Sequence, residues 1–265
     1  MAAVRRLPVL LLLVAALSAC GGGSGTGPQS TTTASPATAS PAAARSTTVA
    51  GKTARFTLLI DAIVGGATVQ SSETGTIAFG KRLAHLYKLV PGGGTAQELI
   101  VDGPFTYTNA NVDAALKDSS QKPWTKLDTR RLSARDRRSH PDELSHVRAL
   151  VYLPDGIARA RRGESITVAN QRVTRFSGTV DPARVVARAP AAERSSLAVA
   201  LRNDYPAKPF FASYWLDATG RVRRVLVSYT TPGGTEITLD GRFSEFGTKI
   251  DTTLPPAGSI QDITP

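Results

Sequence analysis

Residues 210–243, FFASYWLDATGRVRRVLVSYTTPGGTEITLDGRF, decide the fold. They read as strand, turn, strand, turn, strand. The first turn, Asp217 to Gly220, begins with an aspartate that can accept backbone N–H bonds and ends on a glycine that tolerates positive φ. The second, Thr231 to Gly234, has a proline to preset one φ and two glycines after it. Between the turns the residues are β-formers, and their alternation assigns faces. Val225, Val227 and Tyr229 point one way from the middle strand, and Ile237, Leu239 and Phe243 share a face of the next. Arg224, Ser228, Glu236, Thr238, Asp240 and Arg242 point the other way. The unit is an antiparallel meander with one apolar and one wet face, and its apolar face needs a cover.

The same pattern recurs toward the N-terminus. In residues 54–64 Phe56, Leu58 and Ile60 share a face against Arg55, Thr57 and Asp61, and Gly65-Gly66 supplies a turn. Ile77 and Phe79 lie on one face of the next strand. Residues 83–90, 98–101 and 105–108 continue the strands, with a glycine-rich hairpin loop at 91–94. That loop is not a phosphate loop, because no GxxxxGK[ST] pattern contains it.

The middle of the chain changes character. Residues 126–139 carry Arg130, Arg131, Arg135, Arg137 and Arg138 with little apolar content and read as a solvated arm. Residues 141–153 place Leu144, Val147 and Val151 at helical spacing, with Asp142 and Glu143 in the first turn and Pro154-Asp155-Gly156 as a stop. Strands resume at 165–169 and 172–180. Asp181-Pro182 is a helix entry, and a second helical run covers 190–203 with Leu197 and Leu201 four apart. Eight to eleven strands with two or three short helices make an α+β domain dominated by one curved antiparallel sheet.

The chain has 265 residues, a formal charge of +11 and one cysteine. Its first nineteen residues are a signal peptide in form: Arg5 and Arg6, an apolar run from Leu7 to Leu17, then small residues. Leu17-Ser18-Ala19-Cys20 resembles the bacterial lipobox, which implies cleavage before Cys20 and acylation of its thiol. Residues 20–52 are rich in Gly, Ser, Thr and Pro and read as a disordered tether, leaving 53–265 to fold. A mildly cationic surface suits anionic phospholipid headgroups. No recognition helix or aromatic-basic groove marks a nucleic-acid partner.

Three stretches, VTRFSGTVDPARVV (173–186), YWLDATGRVRRVLVSY (214–229) and GRFSEFGTKIDTTLPPAGSIQDI (241–263), resemble the actinobacterial LppX/LprA/F/G lipoproteins, whose fold is LolA/LolB-like. The resemblance implies a half-barrel of about 11 strands closed by a few short helices around a hydrophobic cavity for the acyl chains of a lipid or glycolipid. It brings no catalytic residues. It also implies an amphipathic helix before the first strand, where residues 45–53 are short and rich in Ser, Thr and Gly.

The chemistry of the residues agrees with a binder rather than an enzyme. His85, His140 and His146 lack partners at metal-ligand spacing, so no metal or other cofactor is expected, and there is no GxSxG elbow. His146 and Asp142 are read as a surface pair. Trp124 and Trp215 are read as sheet-packing residues. The candidate cavity lining is Phe56, Leu58, Ile60, Ile77, Phe79, Val225, Val227, Tyr229, Ile237 and Leu239. The five arginines of the arm are candidate headgroup or membrane contacts. The expected protein is a monomeric lipoprotein on the extracytoplasmic face of the cell membrane that carries lipid and hands it to a membrane transporter. A regulatory or sensor lipoprotein that binds a membrane protein is the alternative. Cys20→Ala should release the protein from the membrane fraction or leave it unprocessed. A processed mutant that stays membrane-bound would refute the lipobox assignment.

Overall fold

The two turns of residues 210–243 form as their chemistry requires. In the computed structural model, which describes residues 41–89, 96–110, 123–133, 135–136, 142–168, 170–231 and 233–265, the Asp217 carboxylate accepts from the backbone N–H of Thr219 (2.9 Å) and Arg221 (3.0 Å). Gly220 has φ +84°. At the second turn Gly234 N donates to Thr231 O (2.9 Å) and Gly234 has φ +82°. Pro232 lies outside the described residues, as do the 91–94 loop, Cys20, Arg137, Arg138 and His140.

These turns set the register of β9 (Phe210–Asp217), β10 (Val222–Thr230) and β11 (Glu236–Ser244). Val225 faces Gly241, Val227 faces Leu239 and Tyr229 faces Ile237. On the opposite face Asp240 accepts from Arg224 (2.8 and 3.0 Å) and from Arg242 (2.8 Å), and Ser228 meets Thr238 at 3.1 Å. One face is therefore core and the other a solvated polar ladder.

The remaining strands are β1 (Thr53–Val64), β2 (Ala67–Ala78), β3 (Leu83–Leu89), β4 (Ala96–Asp102), β5 (Phe105–Asn109), β6 (Trp124–Asp128), β7 (Arg161–Val168), β8 (Gln171–Val180) and β12 (Ile260–Asp262). All twelve join one open sheet in the order β12-β6-β5-β4-β3-β2-β1-β11-β10-β9-β8-β7. Two runs of consecutive antiparallel strands, β1 to β6 and β7 to β11, meet where β1 pairs with β11. Every pairing is antiparallel except β12 with β6. That last strand was not expected, because three edge residues carry no readable alternation. The fold is α+β, a single domain built on an open curved sheet rather than a closed barrel.

Four helices lie among the described residues: α1 (Ala44–Val49), α2 (Ser145–Tyr152), α3 (Pro182–Arg188) and α4 (Ala191–Asp204). Asp181 caps α3 by accepting from Ala183 N at 2.9 Å. The helix α1 falls in the stretch assigned to the tether. Ala44 and Thr48 are fully buried, and the Thr48 hydroxyl accepts from Val222 N (2.9 Å), so two contacts with the sheet override a weak helical sequence. At six residues it is the short counterpart of the amphipathic helix that the resemblance implies.

Three further expectations are corrected. Asp142 and Glu143 precede α2 instead of forming its first turn, and Asp142 holds the entry by accepting from Ser145 N through its carbonyl. Pro154 to Gly156 do follow the end of α2, as part of a buried 3-10 turn in which Asp155 pairs with Arg45. Residues 126–128 belong to β6, and Phe79 lies just past the end of β2.

The centre of the concave face is filled, and glycine makes this feasible. A Cβ on Gly241 would lie 2.5 Å from Leu150 Cδ1, so the α2 leucine rests directly on the β11 backbone beside Leu58. A Cβ on Gly75 would lie 2.2 Å from the His85 carbonyl oxygen, so β2 and β3 approach more closely than any side chain there would allow. Leu58 is 1% exposed. Close-packed interiors resist added volume, so Leu58→Trp should cost about 1–3 kcal/mol in urea unfolding at pH 7. Unchanged stability would show that Leu150 leaves slack above this position.

Candidate ligand-binding cavity

Beyond Leu150 the helix α2 no longer fills the space over the sheet. A cavity of about 1170 Å³ occupies the concave face at the end where the β1–β2 and β10–β11 hairpins turn. Its floor is Ile60 of β1, Tyr229 of β10, and Ile237 and Leu239 of β11. Its wall is the C-terminal end of α4 and the segment 205–209 leading into β9, with Tyr205, Phe210 and Phe211. Tyr205, Phe210 and Tyr229 form an aromatic group with ring centroids 5.6–6.3 Å apart. The cavity is open to solvent through exposed Arg202, Asn203, Lys208 and Phe211.

Of the ten residues expected to line a cavity, the structure brings four together here: Ile60, Tyr229, Ile237 and Leu239. The other six, Phe56, Leu58, Ile77, Phe79, Val225 and Val227, sit in the core cluster filled by Leu150 and its neighbours. Alternation places all ten on the inner face. Which part of that face is covered depends on where α2 crosses it, which no strand pattern encodes.

The inner end of the cavity is polar, and the expected lining contains none of it. Glu73 on β2, 7% exposed, projects inward and meets His146 Nε2 of α2 (2.8 Å) and Lys88 Nζ of β3 (3.2 Å). Lys88 also pairs with Glu143 at 2.5 Å. His146 therefore turns to Glu73 rather than to Asp142. Burial pushes the Glu73 carboxyl up, but the bond and charge of His146, then Lys88, outweigh it and the pKa is lowered. Burial pulls the Lys88 ammonium down while Glu73 and Glu143 raise it, and the rise prevails. Asp204, at the end of α4, lines the same space. Burial pushes its carboxyl up, His146 and Lys88 oppose this, Glu73 adds to it, and the pKa stays raised. Burial, followed by Asp204, lifts the Tyr229 phenol to about 12, and that phenol donates to the Asp204 carbonyl. The sequence does carry a signal for this cluster. Counting by twos from Ile77 and from Leu86 puts Glu73 and Lys88 on the core face, oppositely charged and on adjacent strands.

The arginine arm lies elsewhere. Arg130 forks Asp128 with two bonds of 3.0 and 2.7 Å, which hold that carboxyl at about 2. Arg131 reaches the Pro265 carbonyl at 3.4 Å, and Arg135 is exposed. These residues follow β6 beside the β4–β5 turn, at the end of the sheet opposite the cavity. His85 pairs with Glu98 on the outer face (2.7 Å). Trp215 packs beneath the Arg224 guanidinium, 4.7 Å from the ring centroid, and Trp124 lies on β6 opposite Asn109. Among the described residues no three His, Cys, Asp or Glu side chains gather as a metal site, and no helix is long and apolar enough to cross a membrane.

No family model and no curated protein sequence matches this chain. Solved structures similar to it include the lipoprotein LppX from Mycobacterium tuberculosis (10% identity, TM-score 0.47, covering 80% of this chain and 97% of that one). LprF from Mycobacterium bovis is similar at 11% identity and TM-score 0.47, covering 80% and 93%. A LolA superfamily protein from Nitrosomonas europaea is similar at 10% identity and TM-score 0.28, covering 80% and 94%. LppX and LprF bear the names of the family that the C-terminal motifs resemble.

The polar cluster makes a pH-dependent claim. Folding lowers the Glu73 pKa, so the stability it contributes is present at neutral pH and is lost as pH falls through the folded value. Lys88→Met leaves that buried carboxylate with His146 alone and should cost about 1–3 kcal/mol at pH 7 by urea unfolding. The gap from wild type should narrow between pH 5 and pH 3, since a protonated Glu73 has no charge to strand. A constant gap would assign the loss to packing of the lysine stem.

Proposed function

We propose that this protein binds an amphiphilic lipid, holding acyl chain in the cavity over β1, β10 and β11, and that it carries that lipid at the extracytoplasmic face of the cell envelope, anchored through Cys20. The observation that supports this best is the cavity itself. Ordinary small-molecule pockets span about 300–1,000 Å³, and this one, at about 1170 Å³, lies beyond that range. Its floor is aliphatic and its wall aromatic. A chain of sixteen carbons gains over ~10 kcal/mol by leaving water, at about 0.8 kcal/mol per methylene. Few other ligand classes repay so large an apolar surface.

The polarity of the rim fits the same ligand. Arg202 and Lys208 stand at the mouth, where a headgroup remains in water. The carboxylates, lysine and histidine at the inner end are engaged largely with one another, which supports binding over catalysis. The alternative of a regulator that docks a membrane protein accounts for the sheet but assigns no role to the cavity.

The test pairs two substitutions. Ile237→Trp adds bulk where the cavity is hollow and should leave the thermal midpoint within a few degrees of lipid-free wild type while sharply reducing the lipid that copurifies, measured by mass spectrometry. Leu58→Trp, in the filled half, should destabilise instead. Wild-type protein from its native membrane that carries no lipid would overturn the proposal.

A further inference from the structure

The apolar floor of the cavity does not stop at the cavity. Along β1 the inward-facing positions run Ile60, Ala62, Val64, and β2 places Val69 opposite Ala62 and Ala67 opposite Val64. Val64 is 54% exposed and Val69 38%, while Ile63 on the outer side of the same hairpin is 40% exposed. In a chain in which 20% of residues are charged, Ala62 to Ser72 contains no charge, and neither does Val225 to Thr235 across the β10–β11 turn. These hairpins turn at the end of the sheet where the cavity lies.

We propose that the β1–β2 hairpin tip is a membrane-docking element that inserts into a lipid bilayer and delivers acyl chains to the cavity along β1. Three observations favour a bilayer over a protein partner. The patch is a narrow turn with three partly exposed aliphatic side chains, Ile63, Val64 and Val69, well short of the ~800 Å² per partner that a stable protein interface buries. Its polar side chains are few and neutral, Thr68 near the turn and Gln70, which donates to Asp61 at 2.7 Å, so little remains to specify a protein partner, and hydrocarbon needs none. It is also continuous with the apolar floor, so a chain could move from bilayer to Ile60 with little exposure to water. Asp61 and Glu236 flank Ile63 on the outer face and limit the depth of insertion to the tip itself. Those carboxylates favour zwitterionic over anionic lipid.

The purpose of this element rests on the cavity reading, but its test does not. In full-length protein reconstituted with phosphatidylcholine vesicles, Val64→Trp gives an indole whose emission is read after subtraction of the parent signal from Trp124 and Trp215. Lipids brominated high on the acyl chains should quench it strongly, and lipids brominated near the chain ends weakly. Lys81→Trp, at the opposite end of the sheet, should remain unquenched and open to aqueous iodide. Equal quenching at the two positions, no quenching at position 64, or no association with vesicles would overturn the proposal. A second variant combining Ile63→Asp, Val64→Asp and Val69→Asp should slow lipid exchange between vesicle and protein while thermal midpoint and bound lipid stay unchanged. Unaltered exchange would also overturn it. If position 64 is quenched but no lipid copurifies, the cavity reading fails and the docking element stands.

Discussion

One contact divides this molecule into a filled half and a hollow half: Leu150 of α2 against the bare backbone at Gly241. A twelve-strand sheet presents more inner face than the four helices among the described residues can cover. Because residue 241 has no side chain, α2 can descend onto β11 and bury Leu58 and Val225 beneath it. The rows beyond, Ile60 with Leu239 and Tyr229 with Ile237, belong to the same strands and the same face but lie past the reach of Leu150, with only the end of α4 walling them at Tyr229. The cavity is what remains once the core has been closed by a helix too short to close all of it.

The boundary between the halves is electrostatic as well as steric. Glu73, Lys88 and His146 belong to three elements, and Glu73 is paired with both cations only when all three have come together. Their pairing ties the start of α2 to β2 and β3, and so fixes how far along the sheet the helix reaches. A polar cluster of this kind stabilises little beyond what apolar packing would provide. Its contribution is to position, because an aliphatic substitute would let α2 slide along the apolar face.

The sheet was legible from residues because turn chemistry is local. Asp217 and Gly220, Thr231 and Gly234, and Gly65 with Gly66 each announce a hairpin within four residues, and alternation then places Phe56, Leu58, Val225 and Leu239 inward. What alternation could not say is which inward residues would be covered. That depends on Leu150 meeting Gly241, ninety-one positions apart in the chain, and the contact leaves no mark in either stretch alone. Glu73 and Lys88 were readable as inward charges on adjacent strands, yet their partner His146 was assigned to Asp142 because sequence shows helical neighbours and hides a β-strand passing below. The strand β12 and the helix α1 were missed for a common reason: each is short and owes its form to the surface it packs on.

The pairing of β1 with β11 has a consequence for how the chain comes into being. Phe56 finds Phe243 across nearly the whole domain, whereas every other antiparallel pair joins strands that follow one another in the sequence. Each run of consecutive strands can form from sequence-local contacts, and loop-closure entropy weighs most on the seam between them. Ile60 and Leu239 face each other across that seam. A chain that ends short of Glu236 can carry most of the strands and much of the apolar surface, but without β11 nothing joins Ile60 of β1 to Tyr229 of β10, so the cavity floor comes into being only with the last long strand.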